Sequence, residues 1–214
     1  MILPDNLDDT IPVICNTPVE EIRANVQAAC GRALPWLDLA EPHGRAALIV
    51  GGGPSMKPLL PMIAALQRAG GEVFATNGAA TALAGRSATL WHVAYPEISD
   101  WIGEREAVLI GGGTTVGLQA MSIAYALGHR KIHLFGFDSS YSAAGEGHAY
   151  RQPLNDGEEP VEYRVGDKAF MAAPWMARQA VEYQTASRQL CDGGAELYVH
   201  GTGLLPAIAA QMGK

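Results

Sequence analysis

The sequence predicts an α/β protein, a Rossmann-like three-layer sandwich with a mainly parallel sheet and helices on both faces. Short apolar runs alternate with helical patterns, which is how parallel strands are usually connected. Two of these runs, ending at Gly51–Gly53 and at Gly111–Gly113, break into three glycines that are followed by a small hydroxyl residue or by proline and serine. No apolar run approaches the about 18 residues that a membrane-spanning helix needs, so no membrane span is expected.

Residues 1–44 are predicted to form an N-terminal extension with one helix that packs on the sheet. Residues 45–214 are predicted to form a Rossmann-like nucleotide-binding domain. Thr17 is a candidate N-cap for the N-terminal helix, Pro18 suits the first helical position, and Glu20 stands three residues after the cap. Residues 41–44 then lead into the domain.

Apolar runs bounded by turn-forming residues predict the strands. The predicted strands are Ala46–Val50, Val73–Thr76, Thr89–Val93, Ala107–Ile110, Ile132–Phe135 and Glu196–Val199, with a small hairpin formed by Val161–Val165 and Lys168–Met171. Predicted helices cover about residues 54–69, 114–127 and 174–190, with a short alanine-rich helix ending near Ala84 and a last short helix after Gly203. Residues 139–160 form a long polar loop, and such loops within compact domains often carry function.

Composition narrows the functional classes. The chain has 214 residues, of which 48% are hydrophobic and 17% charged, as in a soluble globular domain. Its net charge of −7 and the absence of a Lys/Arg cluster argue against nucleic-acid binding. Cys15, Cys30 and Cys191 lack metal-ligand spacing and indicate reduced thiols in a cytoplasmic protein. A homo-oligomer is compatible with this composition.

The two glycine turns are candidate phosphate sites, because glycines allow close backbone approach and a helix N-terminus favours anions. Tight strand-to-helix packing, with the hydroxyl residues as helix caps, is the alternative. The first turn lacks the Walker lysine, and the acidic residue that holds a ribose in dinucleotide folds is replaced by Asn77. Asn77 is a candidate contact to a base or ribose, or simply a turn former. The candidate nucleotide-binding residues in these turns are Gly51, Gly52, Gly53, Pro54, Ser55, Gly111, Gly112, Gly113, Thr114 and Thr115.

Asp138 and His148 are the candidate catalytic residues. Asp138 follows an apolar strand, so its carboxylate is expected at the ligand edge of the sheet, where it could bind Mg²⁺ or accept a proton from a substrate hydroxyl. An Asx-turn is the alternative for this aspartate. His148 lies in the long loop and could act as a base, or donate a hydrogen bond to a phosphate, near neutral pH. A histidine on the surface without such a role is the commoner case. No nucleophile elbow and no zinc motif is present.

An ordered set of motifs over residues 46–212 carries a resemblance. It comprises Gly51-Gly52-Gly53-Pro54-Ser55, Thr76-Asn77-Gly78, Thr115-Val116-Gly117 followed by Ala124-Tyr125-Ala126-Leu127-Gly128, and His133-Leu134-Phe135-Gly136-Phe137-Asp138. The set resembles the DUF115 family, which includes 6-hydroxymethylpterin diphosphokinase-like proteins and proteins of phage or prophage origin. This resemblance implies diphosphate transfer from ATP to a pterin, with both glycine turns on phosphates and Asp138 on Mg²⁺.

The same order of motifs is more distantly similar to the bacterial sialyltransferases that use CMP-sialic acid. That similarity implies that the first glycine turn and Asn77 hold the CMP moiety, and that Tyr141 and Tyr150 contact the donor phosphate. The catalytic histidine of those enzymes stands where this chain has Phe170-Met171-Ala172, so His148 would have to replace it.

Three functions follow in order of preference. The first is a diphosphokinase-like transferase with ATP and Mg²⁺, the second a CMP-sugar glycosyltransferase, and the third a non-catalytic nucleotide-binding module. In the first two, the partners are a nucleotide and a small-molecule acceptor.

Overall fold

A computed structural model describes residues 17–32, 39–76, 78–79, 113–150 and 159–213 of the chain. These residues form six strands and five helices, numbered here in chain order. The elements are α1 (Val19–Cys30), β1 (His43–Val50), α2 (Met56–Arg68), β2 (Glu72–Ala75), α3 (Val116–Ala126), β3 (His129–Phe135), β4 (Val161–Val165), β5 (Lys168–Ala172), α4 (Pro174–Asp192), β6 (Glu196–His200) and α5 (Leu204–Gln211).

Four of the strands form a parallel sheet in the order β2-β1-β3-β6. In the centre of this sheet, Ile49 of β1 is in register with Phe74 of β2 and with Leu134 of β3. β4 and β5 pair antiparallel as a separate hairpin. The predicted α/β fold with a mainly parallel sheet and a small hairpin is therefore confirmed.

Alternate residues of each strand point to opposite sides of the sheet. Because both sides carry apolar side chains, helices cover both faces. On one face, Leu48, Val50 and Phe135 pack with Met56 and Ile63 of α2. On the other face, α3, α4 and α5 bury a larger cluster. Its members from the strands and helices include Ala47, Ile49, Ile132, Leu134, Leu118, Met121, Ala177, Ala180, Leu205 and Ile208.

Several predicted boundaries need correction. β1 and β3 each begin three residues earlier than predicted, because His43 pairs with His129 and the buried His129 ring bonds to the Arg45 carbonyl. β1 therefore takes up part of the predicted linker 41–44. The first helix begins at Val19, with Pro18 rather than Thr17 at the N-cap. None of the α1 residues is buried, so the predicted packing of this helix on the sheet is not observed within the described residues.

Some predicted features lie outside the described residues. These are the strands Thr89–Val93 and Ala107–Ile110, the end of the alanine-rich helix near Ala84, and the site candidates Asn77, Gly111 and Gly112. Among the helices of the described ranges, none combines the length and the apolar character needed to cross a membrane.

Candidate functional site

A cleft of about 310 Å³ opens where β1 and β3 end, at the carboxyl edge of the parallel sheet. Ligands of open α/β sheets bind at this edge. The cleft brings together most of the predicted site residues that the structure describes. These are Gly51, Gly52, Gly53, Thr114, Thr115, Asp138, His148 and Tyr150.

The first glycine turn packs tightly against the chain that follows β3. The Gly51 N–H donates to the Phe135 carbonyl over 2.7 Å, and the Gly53 N–H donates to the Gly136 carbonyl over 2.8 Å. A side chain at Gly53 would overlap Asp138 Oδ2 and would lie 2.6 Å from the Gly136 oxygen. Close packing therefore explains these two glycines, and it uses N–H groups that the sequence assigned to a phosphate.

Asp138 closes the first glycine turn. Its Oδ2 accepts one hydrogen bond from the Ser55 N–H over 3.1 Å and another from the Ser55 hydroxyl over 2.9 Å. The Asp138 side chain is almost fully buried, and this burial raises its pKa, while the two bonds from Ser55 act in the opposite direction. Ser55 lies at the N-cap of α2, but its hydroxyl makes no capping bond to that helix. The carboxylate joins two distant turns, which is a different role from the Asx-turn alternative.

Glu182 of α4 accepts two hydrogen bonds from Thr114, just after the second glycine turn, in the same way. Its Oε2 accepts from the Thr114 N–H over 2.8 Å and from the Thr114 hydroxyl over 2.7 Å. Its other oxygen, Oε1, accepts from the Arg178 Nε–H over 2.9 Å. The Glu182 carboxylate thus accepts a hydrogen bond from the Thr114 N–H, which the sequence analysis considered for a phosphate. Sequence reasoning did not single out Glu182 or Arg178.

Thr115 faces the cleft and begins α3. Its Oγ1 accepts from the Leu118 N–H over 3.4 Å, as an N-cap does, and from Gln179 Nε2 over 2.9 Å. The Ser139 hydroxyl donates to Gln179 Oε1 over 3.0 Å. Because Thr115 Oγ1 accepts both of these bonds and lines the cleft, its own proton is available to a ligand there.

The first turn of α3 borders the cleft. Val116 and Gly117 both line it, and N–H groups at the start of a helix have no partner within the helix. Together with the positive end of the helix dipole, these N–H groups favour an anion at this point. A side chain at Gly117 would lie 2.5 Å from the Phe137 ring, so glycine lets the sheet edge approach the helix closely.

Tyr150 and His148 also line the cleft. The Tyr150 hydroxyl lies directly over Gly52, and the Tyr150 ring centroid is 5.9 Å from that of His148. Burial raises the pKa of the Tyr150 phenol, so its O–H remains a donor at neutral pH. The Ala149 N–H donates to the Gly52 carbonyl over 2.8 Å and holds this part of the loop on the first glycine turn.

Ser139, between Asp138 and the loop, has a φ of 51°, in the left-handed region. This conformation is uncommon for a residue other than glycine, and such residues cluster at functional sites. It aims the Ser139 hydroxyl at Gln179 of α4. The backbone strain and the hydrogen bond thus occur at the same residue of the cleft.

A second cavity of about 670 Å³ adjoins the cleft. Asp138 and Ser140 line both spaces. Pro54, Ser55 and Tyr141, which the sequence assigned to the nucleotide, line this second cavity instead of the cleft. Their other neighbours in its wall are Pro58, Leu59, Ser142, Ala143, Ala169, Phe170, Met171, Gly201, Thr202 and Gly203.

Charge is scarce in the cleft. None of the described residues that line it is lysine or arginine, and Asp138 is its single carboxylate. Within the described ranges, no three His, Cys, Asp or Glu side chains come together as a metal site. Asp138 Oδ1 is the oxygen that could bind Mg²⁺, because Oδ2 already accepts two hydrogen bonds. The Mg²⁺ expected from the sequence stays a prediction.

No protein-family model and no curated protein sequence matches the chain. Among solved structures, it is similar to the MAf glycosyltransferase from Magnetospirillum magneticum AMB-1, with a TM-score of 0.52 and 14% sequence identity. The alignment covers 91% of this chain and 41% of that protein, so the chain spans less than half of its length. At this identity the likeness shows a shared fold. The resemblance to the DUF115 family stays a prediction.

Proposed function

We propose that the protein is a glycosyltransferase whose donor carries its sugar on a nucleoside monophosphate, as a CMP-sugar does. The observation that carries this proposal is a set of polar groups at the start of α3, among the described residues that line the cleft. Val116 and Gly117 at the start of α3, with the hydroxyl of Thr115, can surround one phosphate. At the next residue back, the Thr114 N–H already donates to Glu182.

The charge of the cleft favours a donor with one phosphate over ATP. A triphosphate carries about four negative charges, and proteins commonly neutralise them with lysine, arginine and Mg²⁺. The described lining offers no lysine or arginine and places the Asp138 carboxylate in the wall. A phosphodiester carries a single negative charge, which N–H and hydroxyl groups can stabilise.

The fold of the MAf glycosyltransferase supports this proposal to the extent that the two proteins share their architecture. Diphosphate transfer from ATP gains no support from the comparisons and stays a prediction, as does a non-catalytic nucleotide-binding module.

In this proposal, the chain's own residues orient the donor and handle protons. The start of α3 and the Tyr150 hydroxyl would stabilise the charge that develops on the phosphate as the sugar departs. His148, beside Tyr150, is the candidate to donate a hydrogen bond or a proton to that leaving group. Asp138, which also lines the cleft, is the candidate base for the acceptor hydroxyl.

Nucleotide binding tests the proposal most directly. Thermal shift and calorimetric titrations with CMP, CDP and ATP, each with and without Mg²⁺, should show stabilisation by CMP that does not need the metal. A ligand at a hundredfold excess over its dissociation constant stabilises a protein by about 2.7 kcal/mol. A Mg²⁺-dependent shift with ATP would favour diphosphate transfer, and no shift with any nucleotide would exclude both enzyme proposals.

A pair of tyrosine variants locates the binding. Tyr150→Phe removes the hydroxyl over Gly52 and should weaken CMP binding by about tenfold, the equivalent of one charge-assisted hydrogen bond. Tyr198→Phe is the matched control, because Tyr198 lies on β6 and its hydroxyl donates to Glu196. Equal CMP affinities for both variants would place the nucleotide elsewhere.

A further inference from the structure

The second cavity differs in character from the cleft beside it. Its wall is mainly apolar, with Leu59 from α2 and with Phe170 and Met171 from β5. Apart from Asp138, the polar side chains of the described lining residues carry hydroxyls, among them those of Ser142 and Thr202. At about 670 Å³ it is within the range of small-molecule sites, which is about 300–1,000 Å³.

The wall also selects against anions. Asp138 is its only charged side chain among the described lining residues, and that side chain is almost fully buried. An anion in this cavity would leave water without a counter-ion to replace it. An uncharged molecule with an apolar body and hydroxyl groups would instead find apolar contacts along Leu59 and Met171, and hydrogen-bond partners among the hydroxyls.

The two spaces meet at Asp138. Its Oδ2 is held by Ser55, whereas its Oδ1 lies on the side of Gly201, which lines the second cavity. Asp138 and Ser140 line the cleft as well. The two spaces therefore lie on either side of the same two residues, and one oxygen of the Asp138 carboxylate carries no bond from Ser55.

We infer that the second cavity is the acceptor site and that it takes an uncharged alcohol with an apolar, aryl or alkyl, portion. This inference rests on the proposed glycosyltransferase function. The acceptor oxygen forms the new bond to the sugar carbon while the bond from that carbon to the phosphate oxygen breaks. The nucleoside monophosphate leaves with that electron pair, and the acceptor proton passes to Asp138. The burial that raises the pKa of Asp138 makes its carboxylate a stronger base.

Phenyl β-D-galactopyranoside is a suitable probe, because it is uncharged and joins an aryl group to hydroxyls. Titrations followed by ligand-observed NMR should detect it in the wild-type chain, and should show at least tenfold weaker binding for D-galactose and for 4-carboxyphenyl β-D-galactopyranoside. Equal or tighter binding of either comparison sugar would overturn the stated acceptor class.

Variants in the cavity wall locate the probe. Ala169→Trp fills the cavity from β5 and should weaken binding of the phenyl galactoside at least tenfold. Ala65→Trp, on an exposed position of α2 outside the cavity, is the matched control and should leave the affinity unchanged. Met171→Glu, which puts a charge into the same wall, is the second variant if Ala169→Trp does not fold. Unchanged affinity in a folded wall variant would overturn the inference.

Wild-type CMP binding separates the two proposals. If the phenyl galactoside binds and the wall variants weaken it while CMP does not bind, the cavity still accepts an uncharged alcohol but the donor assignment fails. If CMP binds and the phenyl galactoside does not, the donor assignment stands and the acceptor inference fails.

Discussion

A carboxylate binds the residue next to each of the two glycine turns, but the two carboxylates differ in their surroundings. In each, a residue with a small hydroxyl side chain donates its N–H and its hydroxyl to a single carboxylate oxygen from a distant part of the chain. At the first turn the carboxylate is Asp138, which is 4% exposed and accepts from Ser55. At the second it is Glu182, whose side chain is 17% exposed and bonds to Arg178 as well as to Thr114.

Because of this difference, the Asp138 contact is rigid, whereas the Glu182 contact can adjust. Asp138 lies three residues after the end of β3, has a short side chain and packs beside the backbone of Gly53, Gly201 and Gly203. Glu182 has one more rotatable bond, partial exposure to water and a cation four residues away on the same helix. The first turn therefore holds the sheet edge together, whereas the contact at the second turn can be altered at low cost.

The largest expected difference concerns the glycines themselves. Gly53→Ala should lower the free energy of unfolding by about 3 kcal/mol, because the new methyl group meets backbone at Gly136 that cannot move away. Gly113→Ala should cost about 1–2 kcal/mol, from its φ of 74° and a contact with the flexible Glu182 side chain. Urea denaturation measures both variants.

Gly145→Ala is the control for backbone strain alone. Gly145 has a φ of 80° and no atom near its absent side chain, so its variant should lose about 1–2 kcal/mol. If Gly53→Ala lowers the free energy of unfolding by no more than this control does, the first turn is not rigidly packed.

Removal of each carboxylate should give the next largest difference. Asp138→Ala leaves the buried N–H and hydroxyl of Ser55 without an acceptor and should cost about 2–3 kcal/mol. Glu182→Ala should cost less than about 1 kcal/mol, because water can reach Thr114. Chemical denaturation of the two variants checks the order, and equal losses would contradict it.

Glu182→Ala should also change nucleotide selectivity, if the proposed donor site is correct. Loss of the carboxylate frees the Thr114 N–H and removes a negative charge, so the affinity for CDP should rise about tenfold relative to that for CMP. Asp192→Ala removes one negative charge from the end of the same helix and is the matched control. A similar CDP/CMP ratio in wild type and Glu182→Ala would show that Glu182 does not limit the site.

The smallest effect concerns pH. Burial raises the pKa of Asp138 above the ordinary value of an aspartate, so the folded protein binds more protons than the unfolded chain just above that value. This group therefore favours folding at low pH, and its contribution is lost as the pH rises through the folded-state pKa. Asp138→Asn should remove that part of the pH dependence. Unfolding free energies measured from pH 4 to 7 would be parallel in both proteins if the expectation is wrong.

Local sequence patterns predict most of the described fold. Apolar runs such as Leu48–Val50 mark buried strands whichever helices cover them, and the glycines that end them mark the ligand edge. The same glycine signal could not tell a phosphate cradle from close packing. That distinction depends on Gly136 and Phe135, which β-strand pairing brings beside the first turn from about 85 residues further along the chain.

The roles of Gln179 and Glu182 could not be predicted from the sequence for a similar reason. Both lie on α4 and contact the second turn across more than 60 residues, so their partners depend on which face of α4 packs on α3. One signal was available. Trp175, Gln179 and Glu182 are spaced four and three residues apart and so share one face of the helix.

Gln179 has a consequence for the direction of the hydrogen bonds around the cleft. Its amide accepts from Ser139 at one end and donates to Thr115 at the other, so it fixes the orientation of two hydroxyl groups. Glutamate has nearly the same shape but has no proton to donate when ionised. In its place, the Thr115 hydroxyl would turn to donate towards α4 and would present lone pairs to the cleft. The difference between an amide and a carboxylate at this single position thus decides whether the cleft offers a proton or a lone pair to an anion.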